Sequence, residues 1–282
     1  MADDVVVDGV RLSVETRGEG PAVLFICGTG MPATTWDLFG VSALVDRGYR
    51  VVTFDNRGVG RSEGPPGPYS VEMMSDDTAQ LVEALAIGPV SVVGLSLGGS
   101  IAQQLAASRP DLVEAVVLWA SVGRTPSFFR RLLEVERELS QAAPVPMSWH
   151  VWQYLLISLP FDALQNDDVT VDQVAELLQS AIEWSGDGRA GQFAADVAWD
   201  TSEHHDLYPR ITRPCLVLAH EHDLIYPPAA ARAALRAMPD ARLVEIPGLA
   251  HGQAVDAAPI VMGHVLSFLD EVAARRGGGS SP

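Results

Sequence analysis

A mostly parallel sheet with helices on both faces, interrupted late by a helical insertion, is the fold class this sequence predicts. Three observations carry it. Short apolar runs alternate with helical patterns through residue 121 and again after residue 213, a rhythm that needs crossover connections and therefore parallel strands. Several runs are apolar at every position, as strands covered on both faces must be. Between the two stretches, residues 123–207 carry apolar residues at helical spacing and no run that reads as a strand.

The elements follow in order. Residues 5–7 and 11–16 read as strands joined by Asp8-Gly9, a pair suited to a tight hairpin. Residues 22–27 form a continuous apolar run that ends in Gly28-Thr29-Gly30. A helix is expected over 35–46 and a strand over 50–54. After the Gly- and Pro-rich loop 55–68, Ser70 is placed to cap a helix reaching about Leu85. Residues 89–95 read as a strand, 97–108 as a helix halted by Pro110, and 112–119 as a strand. Within the insertion, helices are expected over 128–141, 147–158 and 171–184. The alternation resumes with a strand over 215–219, a helix over 228–238, a strand over 241–246 and a helix over 259–274. The Gly/Ser-rich tail 275–282 reads as disordered.

Composition excludes several function classes. The net charge of −17 disfavours nucleic acid and anionic membrane surfaces as partners. All 19 basic residues are arginine, so no Schiff-base lysine, P-loop lysine or Ser–Lys dyad is available. Cys27 and Cys215 lie in or at the end of strand-like runs and read as reduced thiols of a cytoplasmic protein. The N-terminus lacks the basic and apolar regions of a signal peptide, and no apolar run is long enough to span a membrane.

Gly94-Leu95-Ser96-Leu97-Gly98 fits the G-x-S-x-G pattern between a buried strand and a helix start. A nucleophile on such a turn needs strained backbone angles to project its hydroxyl, and small neighbours two residues away leave room. The helix that opens there points its first N–H groups at developing negative charge.

Serine needs a base, usually a histidine oriented by a carboxylate. His251 follows the last strand in Ile246-Pro247-Gly248-Leu249-Ala250-His251, at the edge where sites in open α/β sheets gather. Asp223 follows strand 215–219, with Glu221 as the competing acid. The strand before the insertion ends in Trp119-Ala120-Ser121 and offers no carboxylate. His220 and His222 lie too close in sequence, beside Glu221 and Asp223, to give the ligand spacing zinc prefers. No metal and no cofactor are expected.

The tetrahedral intermediate calls for two preorganised N–H donors. Leu97 supplies one candidate and the turn after the first buried strand the other, Thr29 or, alternatively, Gly30. The segment Asp55-Asn56-Arg57-Gly58-Val59-Gly60-Arg61-Ser62 reads as a structural loop beside the same edge.

With these motifs in place, the sequence resembles the cofactor-free α/β-hydrolases that include 3-oxoadipate enol-lactonases, anthracycline-type methylesterases and perhydrolase-type esterases. The resemblance rests on Cys27-Gly28-Thr29-Gly30, the 55–62 loop, Gly94-Leu95-Ser96-Leu97-Gly98-Gly99, Asp223 and Gly248-Leu249-Ala250-His251. Gly67-Pro68-Tyr69-Ser70 and Ala190-Gly191 are most similar to the enol-lactonase branch. One departure is Cys27, where many members have histidine before the glycine. The resemblance implies an α/β-hydrolase fold with a mostly parallel eight-stranded sheet, a core over 1–121 and 208–274, and a helical cap over 122–207. It also implies that the aromatic-rich cap covers the triad, with Phe129, Trp149, Trp152 and Gly30 as pocket residues.

The function expected is hydrolysis of a moderately apolar carboxylic ester or lactone by Ser96, Asp223 and His251, the substrate being the only small-molecule partner. The alternative keeps the triad but changes the reaction to lactonisation, acyl transfer, carbon–carbon hydrolysis or perhydrolysis. A third reading is a non-enzymatic ligand receptor. The chain is expected to be a monomer or homodimer that binds neither nucleic acid nor membrane.

Overall fold

Asp8 and Gly9 both take positive φ (46° and 77°) and turn the chain back on itself, as a two-residue hairpin loop of matching twist requires. They join β1 (Ala2–Val7) to β2 (Val10–Arg17). The computed structural model describes residues 2–142, 145–200, 204, 206–252 and 257–278. From β2 the chain alternates: β3 (Ala22–Ile26), α1 (Thr35–Leu38), α2 (Ser42–Asp46), β4 (Arg50–Phe54), α3 (Val71–Ala84), β5 (Val90–Leu95), α4 (Leu97–Ser108) and β6 (Val113–Trp119). A helical stretch follows: α5 (Ser127–Ala142), α6 (Met147–Ser158), α7 (Phe161–Asn166), α8 (Asp168–Ala181) and α9 (Gly188–Asp200). Then β7 (Cys215–His220), α10 (Pro228–Leu235), β8 (Ala241–Ile246) and α11 (Ala258–Gly278) complete it.

The eight strands form one sheet in the order β1-β2-β4-β3-β5-β6-β7-β8. The pairs β1/β2 and β2/β4 are antiparallel and the rest parallel. Registry aligns the carboxyl ends: Ile26 pairs with Gly94, Gly94 with Leu118, and His220 with Ile246. Every loop leaving β3, β5, β7 and β8 at that end therefore opens onto one edge.

Period-two alternation explains the apolar runs. Leu24, Val92, Leu118 and Val217 pack on one face, while Phe25, Val93, Val117 and Leu218 pack on the other. Both sets are buried under helices, so these strands are largely apolar on both faces. A third apolar cluster joins α5, α6 and α9 to the loop after β7 through Phe129, Leu133, Ile157, Phe193, Ile225 and Tyr226. Among the described residues, no helix is long and apolar enough to cross a membrane.

Ser70 caps α3 as expected, its Oγ accepting from the Met73 N–H at 3.2 Å. Elsewhere the structure corrects the sequence reading. The helix expected over 35–46 is broken into α1 and α2, because Gly40 adopts φ 75° between them. The helix expected over 171–184 starts earlier, where Asp167 accepts from the Thr170 N–H at 3.0 Å, and ends at Ala181. Trp184 instead bridges to Val59 in an isolated antiparallel pair. Helices α7 and α9 were not anticipated. The tail reading is also corrected in part, since α11 continues through Gly278; residues 279–282 lie outside the described residues.

Candidate active site

The turn from β5 into α4 places Ser96 at φ 53°, ψ −121°, a conformation that costs a non-glycine residue energy and persists only where its surroundings enforce it. The flanking glycines allow it. A Cβ on Gly94 would strike the Gly98 carbonyl, and one on Gly98 would strike the Ile26 carbonyl of β3. The hydroxyl consequently stands clear of the sheet edge, at the positive end of α4.

The loops after β7 and β8 bring the other two groups to it. His251 Nε2 lies 2.9 Å from Ser96 Oγ, and His251 Nδ1 lies 2.9 Å from Asp223 Oδ2. The carboxylate can only accept, so Nδ1 carries the proton and Nε2 presents its lone pair to the serine O–H. The other carboxylate oxygen, Asp223 Oδ1, accepts from the N–H groups of Ile225 (2.7 Å) and Tyr226 (2.9 Å). Burial alone would raise the Asp223 carboxyl. The His251 imidazole and those two N–H groups outweigh it and hold Asp223 below the usual carboxylate range. The backbone N–H of His251 donates to the Ile157 carbonyl of α6 at 3.0 Å, which ties the histidine loop to the helical stretch.

Glu221, the competing acid, is engaged elsewhere: its carboxylate accepts from the Gly248 N–H at 2.9 Å and shapes the turn after β8. His222 is exposed while His220 is fully buried. Among the described residues, no group of three or more His, Cys, Asp or Glu side chains is arranged to hold a metal ion.

His220 has a part that sequence reasoning missed. Its Nε2 accepts from the Trp119 indole N–H at 2.9 Å, so Nδ1 carries the proton and donates to the Ala250 carbonyl at 2.7 Å. Burial pulls its imidazole below the ordinary range and keeps it neutral. It thus pins the peptide immediately before His251 to the end of β6. The only sequence signal was a histidine closing an otherwise apolar strand.

The turn after β3 lies opposite Ser96. The Gly30 N–H donates to Gln192 Oε1 at 2.9 Å, which removes Gly30 as an oxyanion donor and leaves Thr29. Leu97 is the first residue of α4, and a helix leaves its first N–H groups without intrahelical partners. The 55–62 loop braces this turn. Asn56 Nδ2 donates to the Cys27 carbonyl at 3.0 Å, and Asp55 Oδ1 accepts from the Ala33 N–H at 2.7 Å. Arg57 is held by a two-pronged pair with buried Asp77 at 2.5 and 2.6 Å. Cys27 itself is fully buried and directs Sγ at the Pro32 carbonyl.

A cavity of about 140 Å³ opens at Ser96 between the sheet edge and α5, α6, α8 and α9. Phe129 borders it, as do Thr29, Ser96 and His251. The other expected pocket residues are placed elsewhere. Trp149 and Trp152 stack on each other at 5.5 Å, and Trp152 is 55% exposed. The face of α6 turned to the cavity carries Gln153, Tyr154 and Ile157 instead, and aromatic content alone gave no way to choose that face. Gly30 is covered by the Trp184 ring.

Residues 23–261 match the alpha/beta hydrolase family. The chain belongs to that family. Its mostly parallel eight-stranded sheet flanked by helices is the α/β-hydrolase fold. It is 35% identical over 244 residues to the protein named putative non-heme bromoperoxidase BpoC of Mycobacterium tuberculosis, covering 86% of this chain and 91% of the relative. The crystal structure of that relative superposes with a TM-score of 0.83 over 95% of this chain and 97% of the other. An enol-lactonase from Burkholderia xenovorans superposes with a TM-score of 0.81 at 26% identity, covering 95% of this chain and all (100%) of that one. A thermophilic esterase from Thermogutta terrifontis gives a TM-score of 0.80 at 25% identity, with 96% and 99% covered. The likeness to the enol-lactonase agrees with the branch resemblance seen in the sequence.

Proposed function

We propose that this α/β hydrolase cleaves a small carboxylic ester or lactone through an acyl-enzyme on Ser96. The observation that carries the reading is the pair of 2.9 Å contacts that link Ser96, His251 and Asp223 in series. Ser96 Oγ attacks the carbonyl carbon while His251 Nε2 takes its proton. The N–H groups of Thr29 and Leu97 receive the oxyanion. Collapse breaks the bond to the leaving oxygen, which takes the proton from His251. Water, deprotonated by the same imidazole, then attacks the acyl carbonyl and releases the acid and free Ser96. In a lactone the leaving alcohol remains part of the released hydroxy acid.

The cavity supports a small, moderately apolar substrate. An apolar cavity of about 150 Å³ accommodates a benzene-sized group, and this one is about 140 Å³. Phe129, Leu133, Ile157 and Phe193 supply apolar walls. The enol-lactonase and esterase likenesses support the same bond class. A small-molecule substrate and a cytoplasmic setting complete the proposal.

Steady-state assays of wild type and Ser96→Ala on p-nitrophenyl acetate and butyrate test it. Turnover in the wild type should fall by on the order of 10⁴–10⁶ in the variant. Equal rates in the two proteins would remove Ser96 from the reaction.

A further inference from the structure

Among the described residues, three carboxyl groups border the cavity, Glu136, Asp196 and Asp200, and no arginine does. Glu136 is neutralised by an ion pair with Arg189 and also accepts from the Trp149 indole N–H. Asp200 accepts from the Tyr226 hydroxyl at 2.9 Å. Asp196 differs from both. Its Oδ2 accepts from Thr29 Oγ1 at 2.7 Å, and its Oδ1 has no hydrogen-bond partner among the described residues. Its half-buried side chain borders the cavity, so the surface it retains opens inward.

The surroundings favour the protonated acid. Asp200 lies one turn further along α9, so two carboxyls share one low-dielectric face. From α6, Tyr154 directs its hydroxyl to the Thr29 carbonyl at 2.8 Å. From α5 and α9 come Glu136 and Arg189, occupied with each other, and Arg130 stands on the Asp200 side. From the loops after β7 and β8 come Tyr226, Asp223 and His251. No cation forms an ion pair with Asp196 among the described residues. Burial, with the Asp200 charge added, pushes the Asp196 carboxyl up to about 8.

The Thr29 backbone N–H is an oxyanion donor in the proposed reaction, and Asp196 is bonded to the side chain of that same residue. We infer that Asp196 works as a neutral carboxylic acid, donating a hydrogen bond from Oδ1 to a second oxygen of the substrate near the reacting carbonyl. The site then selects uncharged esters or lactones with an oxygen at the 2- or 3-position of the acyl chain, such as alkoxy or oxo acyl groups. An acyl chain ending in a carboxylate is refused, because the cavity offers it acids and no arginine. Gln153, buried on the cavity wall with Oε1 unpartnered among the described residues, is a further polar residue of this wall. This inference rests on the proposed hydrolase reading and narrows it.

The test compares kcat/KM for p-nitrophenyl methoxyacetate, p-nitrophenyl butyrate and mono-p-nitrophenyl succinate across pH 6–9. The proteins are wild type, Asp196→Ala and Asp196→Asn. Each ester's rate is divided by its rate with hydroxide, which removes intrinsic reactivity. Methoxyacetate should exceed butyrate roughly tenfold in the wild type, the worth of one hydrogen bond. The preference should vanish in Asp196→Ala and be restored by Asp196→Asn, whose amide also donates. In the wild type it should decline as pH passes about 8, and in Asp196→Asn it should stay level. Succinate should be the poorest substrate of the three.

An equal preference in wild type and Asp196→Ala overturns the inference, as does its loss in Asp196→Asn, which would mean that the preference does not come from a hydrogen-bond donor at this position. A preference that grows with pH overturns it too. Butyrate turnover by the wild type reports on the hydrolase reading separately. Turnover without the preference sinks only the role of Asp196, and no turnover of any ester sinks both. Fluorophosphonate labelling of Ser96 in Asp196→Ala shows whether that variant keeps its fold. Should it not label, the wild-type and Asp196→Asn pH profiles decide.

Discussion

The site groups at the carboxyl edge of the sheet and the helical stretch α5–α9 that borders the same cavity handle buried polarity in different ways. At the edge, each site side chain is saturated. Asp223 uses both oxygens, and His251 and His220 each use both ring nitrogens. In the helical stretch, Gln153 Oε1, Trp184 Nε1 and His150 Nδ1 are buried with no partner among the described residues, as are Ser100 Oγ and Ser121 Oγ beside the edge, and Asp196 and Asp200 carry raised pKa values. An unsatisfied buried polar group costs about 1–3 kcal/mol. The triad groups are therefore preorganised by their hydrogen bonds, whereas burial makes Asp196 and Asp200 costly to ionise. On the function and inference proposed above, chemistry belongs to the first region and selectivity to the second.

The sharpest way to break that division is to damage the edge without touching the cap. Asp223→Asn keeps the size of the side chain but reverses the tautomer logic at His251 Nδ1. Turnover should drop by on the order of 10⁴ while the fold survives. A near-wild-type rate in a folded variant would move the orienting acid elsewhere.

A smaller effect is expected from His220, which touches no reacting atom. His220→Leu leaves the Trp119 indole N–H and the Ala250 carbonyl without partners, at a cost of roughly 2–4 kcal/mol in urea unfolding. Because Ala250 precedes His251, kcat should also fall, on the order of tenfold to a hundredfold, with KM little changed. Loss of stability with full kcat would make His220 purely structural.

The smallest effect concerns the cap and pH. Burial raises the Asp200 carboxyl to about 6 from its ordinary 3.8. The folded state thus binds more protons than the unfolded chain between those values, so stability falls as pH rises through that window and levels off above it. Asp200→Asn removes the group, and its Tm relative to wild type should be higher at pH 7 than at pH 4. A difference that does not depend on pH would show that Asp200 is not held protonated by the fold.

The same contrast explains what the sequence revealed. Strands β3 and β5 to β7 were legible because two-sided burial leaves nearly unbroken apolar runs, and Ser96 was legible because Gly94 and Gly98 are sterically required. Asp223 and His251 followed from loop position at the carboxyl edge. The cap was legible only as helical. Which face of α6 meets the cavity depends on packing against the core, so aromatic content points to Trp149 and Trp152, which stack on each other away from the cavity lining. Asp196 and Gln192 could not be recognised, since their partners, Thr29 and Gly30, are more than 160 positions away. The i, i+4 spacing of Asp196 and Asp200 on an apolar helix was the one signal present.

The central claim is that Ser96 is a nucleophile activated by His251 and Asp223, and covalent labelling tests it most directly. Wild type and Ser96→Ala are treated with a fluorophosphonate, followed by intact mass and peptide mapping. The account predicts a single adduct on the Ser96 peptide of the wild type and none on the variant. An adduct of equal yield on both proteins, or no adduct on a wild type that hydrolyses esters, would contradict it.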